Sequence, residues 1–116
     1  MPTRVIMIEF NSEATSEQTE VFQQELKAVA DKIPYKKSFC CGFNRALETE
    51  AALDAVAPEV AVHGPQFVAI WEFGSYDDLT RFVGESIHQN FAREIAKTVV
   101  RQSMGCEYLR VITKSL

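Results

Sequence analysis

The chain has 116 residues, 47% apolar and 24% charged, with a formal net charge of −4. That length suits one domain with one core, expected to span 1–116, and the composition excludes disorder, collagen and disulfide scaffolds. The 12 basic residues are scattered among 16 acidic ones, so neither nucleic acid nor an anionic membrane surface is expected as a partner.

The opening "MPTRVIMIEF" is too short and too polar for a signal peptide, and no stretch reaches membrane-spanning length, which makes the cytoplasm the expected compartment. Residues 4–10 are rich in β-branched and apolar side chains and predict a first strand. Thr15 and Gln18 stand at capping-box spacing, ahead of a helix whose apolar stripe is Val21, Phe22, Leu26, Val29, Ala30 and Ile33, ending at Pro34. Residues 35–44 predict a second strand with Phe39, Cys41 and Phe43 on one face. The region 45–65 is rich in helix formers and predicts a short helix stopped near Pro58, then a turn at His63, Gly64 and Pro65.

"QFVAIWEF" (66–73) is apolar on both faces and predicts a central strand. It carries Trp71 towards one face and Glu72 towards the other, where Arg110 is an expected partner for the carboxylate. Ser75 with Asp78 predicts the cap of a helix carrying Leu79, Phe82 and Val83, with Gly84 just past its end. A last helix over 87–100, with Ser86 as N-cap and Gln89 completing a capping box, leads to a final strand at 106–114. The three cysteines lack C-x-x-C or zinc-type spacing, adjacent Cys40 and Cys41 face opposite ways in a strand, and all three are expected as small core residues with no metal.

Four strands with helices on one side predict an α+β, ferredoxin-like antiparallel sheet. Its other face is left bare and apolar, which predicts a homodimer packed sheet to sheet. On the last helix, His88, Phe91, Ile95 and Val99 share the face that looks at the sheet. His88 in its first turn is thus expected to be buried and neutral, able to accept a proton or simply to pack.

In "ESIHQNF" (85–91), "TSEQ" (15–18), "KIP" (32–34), Gly42 and "WEFGSYDDLTRF" (71–82), taken in order, the sequence resembles the stress-responsive dimeric A/B barrel (Dabb) proteins. The likeness runs over nearly the whole chain except 45–65. It implies a ferredoxin-like subunit, a sheet-to-sheet dimeric α/β barrel and a pocket between sheet and helices. By similarity to the family's plant polyketide cyclase, His88 falls on the catalytic base. The tyrosine that assists that base is Phe82 here, and the first histidine of its segment is Glu85. Arg4 takes the place of a histidine that often opens the first strand. The pocket is expected to be lined by Arg4, Ile6, Ile8, Phe22, Leu26, Phe82, Glu85, Phe91 and Ile95, with Glu85 or an acidic ligand partnering Arg4. The expected ligand is a small apolar or aromatic acid. Two functions follow: a cofactor-free cyclase-like or lyase-like enzyme, or a non-catalytic stress-responsive binding protein. A monooxygenase is a third, and no second histidine near His88 supports heme.

Overall fold

The computed structural model describes residues 2–44 and 66–109. Its elements are β1 (Pro2–Phe10), α1 (Ser16–Asp31), β2 (Lys36–Phe43), β3 (Phe67–Phe73), α2 (Tyr76–Gly84), α3 (Ser86–Phe91) and β4 (Val100–Leu109). Between α3 and β4 the helix widens into a π-helical turn at Ala92–Ala96 and closes with an α-helical turn at Lys97–Val99. The sheet has four antiparallel strands in the order β2-β3-β1-β4. The fold is α+β and ferredoxin-like, with β1 and β3 central, where continuous apolar runs belong.

Register divides the side chains between two faces. Arg4, Ile6 and Ile8 of β1 stand opposite Trp71, Ala69 and Phe67 of β3, which stand opposite Phe39, Cys41 and Phe43 of β2. Cross-strand partners share a face, and this one carries the helices. Its core contains Ile8, Phe10, Phe67, Trp71 and Phe73 from the sheet with Phe22, Leu26, Leu79 and Phe82 from the helices, all buried. The aromatic rings interlock edge to face, Phe22 lying 5.3 Å from both Phe67 and Phe10.

Local signals explain the helix starts. The Thr15 hydroxyl accepts from the Gln18 N–H at 3.1 Å while the Gln18 side chain accepts from the Thr15 N–H at 2.9 Å. Such a closed box contributes about 1 kcal/mol. Ser75 caps α2 by accepting from the Asp78 N–H. Asp77 and Asp78 complement the positive end of α2.

Several sequence expectations are corrected. Val21 is 44% exposed, because the buried stripe of α1 is narrower than the apolar pattern and Val21 lies one residue off it. Cys40 is exposed while Cys41 is half-buried, since strand alternation turns Cys40 to the open face of the edge strand β2. Ser86 is already helical: Glu85, with an extended ψ of 137°, both ends α2 and starts α3, and it makes no side-chain cap bond. Gly84 closes α2 without a positive φ. β4 begins at Val100, well before 106, since the ladder with β1 continues from Pro2↔Leu109 to Phe10↔Val100. The expected helix and turn of 45–65, including His63, and the expected Glu72–Arg110 contact lie outside the described residues.

The face away from the helices carries Thr3, Val5 and Met7 of β1, Val68, Ile70 and Glu72 of β3, and Ser38, Cys40 and Gly42 of β2. Val5, Met7, Val68 and Ile70 are all half-buried there. Glu72 accepts a 2.8 Å hydrogen bond from the Ser38 hydroxyl.

Candidate functional site

A cavity of about 240 Å³ lies between the helix-bearing face of the sheet and the helices. β1 contributes Arg4, Ile6 and Ile8; β3 contributes Ala69 and Trp71; α1 contributes Phe22 and Leu26. Phe82, His88 and Phe91 line it from α2 and α3, Ala92 and Ala96 from the π turn, and Val100 and Ser103 from β4. The space exists because small residues face it. Ala92 and Ala96 take the helix side, and on β4 Ser103 stands opposite Ile8. An apolar cavity of about 150 Å³ suffices for benzene, so this one admits a substituted ring.

Of the residues expected at the pocket, Arg4, Ile6, Ile8, Phe22, Leu26, Phe82, His88 and Phe91 are brought together. Ile95 and Glu85 are not among the lining residues. Ile95 lies in the groove between α1 and α3, beside Val29, Ile87 and Glu94. The π turn is the reason: the Lys97 N–H donates back to the Ala92 carbonyl, a wider loop than the α-helical bond. That widening shifts the phase by one residue, so the face begun at His88 continues through Ala92 and Ala96 instead of Ile95.

Glu85 is committed elsewhere. Its Oε1 accepts a 2.9 Å hydrogen bond from the Tyr35 hydroxyl and lies 3.5 Å from Arg81 Nε. The Arg81 guanidinium sits 4.1 Å above the Tyr35 ring, closing a three-sided clasp that ties the α2–α3 corner to the start of β2. Burial and the bond to Glu85 push the Tyr35 phenol up to about 12. The sequence offered no spacing signal for this clasp, because Tyr35 and Glu85 are 50 residues apart.

The His88 ring is half-buried and lies 4.5 Å from that of Phe82, which lies 4.3 Å from Trp71. Its Nδ1 is 3.1 Å from the Val83 carbonyl oxygen. A carbonyl can only accept, so Nδ1 carries the proton and donates, and Nε2 of the neutral ring is left with its lone pair. Burial lowers the His88 pKa below its ordinary value and the Arg4 charge lowers it further, while the Val83 bond opposes them. The ring is therefore neutral at pH 7. Such an imidazole can take a proton from a molecule in the cavity, beside a guanidinium suited to an anionic group. Among the described residues no cluster of His, Cys, Asp and Glu could hold a metal ion, and no described helix is long and apolar enough to cross a membrane.

A family model described as the stress responsive A/B barrel domain matches residues 3–109. No curated protein matches the sequence. Among solved structures, the chain is similar to a dimeric ferredoxin-like protein of unknown function from Thermobifida fusca, with TM-score 0.72 and 13% identity over 92% of this chain and 88% of that one. It is similar to a Dabb family protein with a ferredoxin-like fold from Mesorhizobium loti, with TM-score 0.71 and 14% identity over 95% and 96% of the two chains. It is also similar to the hydroxynitrile lyase of Passiflora edulis, with TM-score 0.74 and 15% identity over 98% and 96%. Likeness at these identities is likeness of fold.

Proposed function

The chain belongs to the stress-responsive A/B barrel family, and from that premise we propose that it is a homodimeric, cytoplasmic protein that binds a small apolar or aromatic acid between sheet and helices. His88 is the general base of a cofactor-free, cyclase-like or lyase-like proton transfer, and Arg4 orients the acid. The observation that carries this reading is the His88–Val83 hydrogen bond of 3.1 Å beside the cavity. It sets the tautomer that a base requires and leaves Nε2 as the acceptor. The half-buried apolar face of Val5, Met7, Val68 and Ile70 supports a second copy as its cover, as does the dimeric description of the Thermobifida fusca protein. The lyase among the fold neighbours supports proton-transfer chemistry on this scaffold.

The test uses benzoylacetate, an aromatic β-keto acid with an acidic C–H, in D₂O. Nε2 abstracts the α-proton, the enolate takes a deuteron from solvent, and NMR follows the exchange. His88→Gln, whose amide can still donate to Val83, should slow exchange about a hundredfold or more. Binding, read from the fluorescence of the sole tryptophan, Trp71, should persist. Equal exchange by both proteins removes His88 as the base.

A second reading, a binding protein without catalysis, is favoured by one observation: the ring packed against His88 is Phe82, which offers no hydroxyl to assist proton transfer. Under that reading benzoylacetate binds without protein-dependent exchange.

A further inference from the structure

A second hollow borders the cavity's polar end. His88 and Ala92 line both the cavity and a shallow surface depression whose other walls are Gln89, Arg93 and Lys97. The two hollows therefore adjoin at His88 and Ala92. The π turn shapes this junction, because the same phase shift that turns Ala92 and Ala96 inwards places Arg93 and Lys97 together in the depression. π turns recur at functional sites for this kind of re-aiming.

Charge is sorted around the two hollows. The chain has more acidic than basic residues, 16 against 12, yet the described residues lining cavity and depression include no carboxylate and three cations, Arg4, Arg93 and Lys97. Glu94, between the two outer cations in sequence, lines the separate groove against α1. Arg93 is held by a 3.2 Å hydrogen bond from its Nη2 to Asn90 Oδ1, which steadies one of its donors at the rim.

We infer that the Gln89–Arg93–Lys97 depression is an outer subsite for an oxyanion, phosphate or carboxylate, carried on the ligand whose apolar part fills the cavity. The ligand class is thus an elongated amphiphile with its ring or chain inside and its anionic end outside, past His88. This rests on the cavity being the binding site proposed above. It differs from the role given to Arg4, which meets an acid group inside.

The test compares three probes, phenylpropanol, phenylpropionate and phenylpropyl phosphate, by Trp71 fluorescence and calorimetry. Wild type, the double variant Arg93→Gln/Lys97→Gln, and Arg4→Gln are titrated. Two exposed cations should make an anionic probe bind about threefold to tenfold tighter than the alcohol at low salt. The double variant should erase that gain and leave phenylpropanol unchanged; whether phosphate or carboxylate shows the larger gain identifies the oxyanion. A gain that survives the double variant, or vanishes only in Arg4→Gln, overturns the outer subsite while the cavity stands. Absence of phenylpropanol binding overturns the cavity reading, and the subsite with it.

Discussion

The Nδ1 atom of His88 stands 3.1 Å from the carbonyl oxygen of Val83, five residues back across the corner between α2 and α3. One short loop of backbone therefore sets the tautomer, the orientation and part of the acidity of a residue lining the cavity. Burial outweighs that bond, and the folded-state pKa lies below the usual 6.5. The folded ring thus takes up its proton at lower pH than the unfolded one. Stability from this group is complete above 6.5 and falls as the pH drops from there to the folded pKa, where the loss levels off. Denaturation midpoints measured from pH 8 to 5 should show that fall in wild type, and His88→Gln should remove it. NMR titration of the ring protons should give a midpoint below 6.5.

Phe82 is 1% exposed and lies between Trp71 and His88 at ring distances of 4.3 and 4.5 Å. Phe82→Ala should cost about 3–5 kcal/mol in denaturant unfolding. Water admitted beside the imidazole should relieve its desolvation, so the His88 midpoint moves back up towards 6.5. A stable variant with an unmoved histidine would mean that other walls keep the ring dry.

The Tyr35–Glu85 bond gives a prediction at the alkaline end. With the phenol at about 12 in the folded chain and 10.0 ordinarily, the unfolded tyrosine ionises first. Stability should decline as the pH rises from 10 towards 12. Glu85→Gln removes the carboxylate charge, and ultraviolet titration should then show one tyrosine ionising at lower pH than in wild type.

Gly84 ends α2 with an ordinary φ, and a Cβ built on it meets nothing within 4 Å. Gly84→Ala should stabilise the chain by about 0.5 kcal/mol, through the smaller backbone freedom of the unfolded state. A loss of stability in thermal melts would show that the corner needs glycine.

Ile70 sits mid-strand on the face away from the helices, between Val5 and Cys40 across the ladders. Ile70→Asp would bury a charge in a face-to-face dimer. Light scattering should therefore find a dimer for wild type and a monomer for the variant. Equal masses would remove this face as the interface.

The sequence was readable where one physical rule acted alone. Strand alternation placed Arg4, Ile6 and Ile8 on one face, and helical spacing placed Phe22 and Leu26 opposite them. The hydroxyl caps at Thr15 and Ser75 followed from local hydrogen bonding. Reading failed where two rules competed. Ser86 and Gln89 have capping-box spacing, but Glu85 already serves both helices, so the box never forms. Val99 and Val100 fit the end of a helix and the start of a strand equally well; Asn11, whose N–H donates to the Val99 carbonyl at 2.8 Å, marks the boundary through a contact distant in sequence. Ile95 fits an α-helical stripe that the π turn interrupts, and no periodic pattern announces one added residue. The clasp of Tyr35, Arg81 and Glu85 was invisible for the opposite reason: its members obey no common period.

The turn at Ala92–Ala96 behaves like an insertion in a reading frame. Upstream of it, side chains follow one phase; downstream they follow another, and the hollow sits where the two phases disagree. Closing that turn into a regular α-helix of the same length would restore one continuous frame and swing Ile95 into the space now bounded by two alanines. The chain would keep its hydrophobicity and its strand order, yet lose the hollow between sheet and helices. The hollow is thus a matter of helical phase along one helix more than of which residues are present.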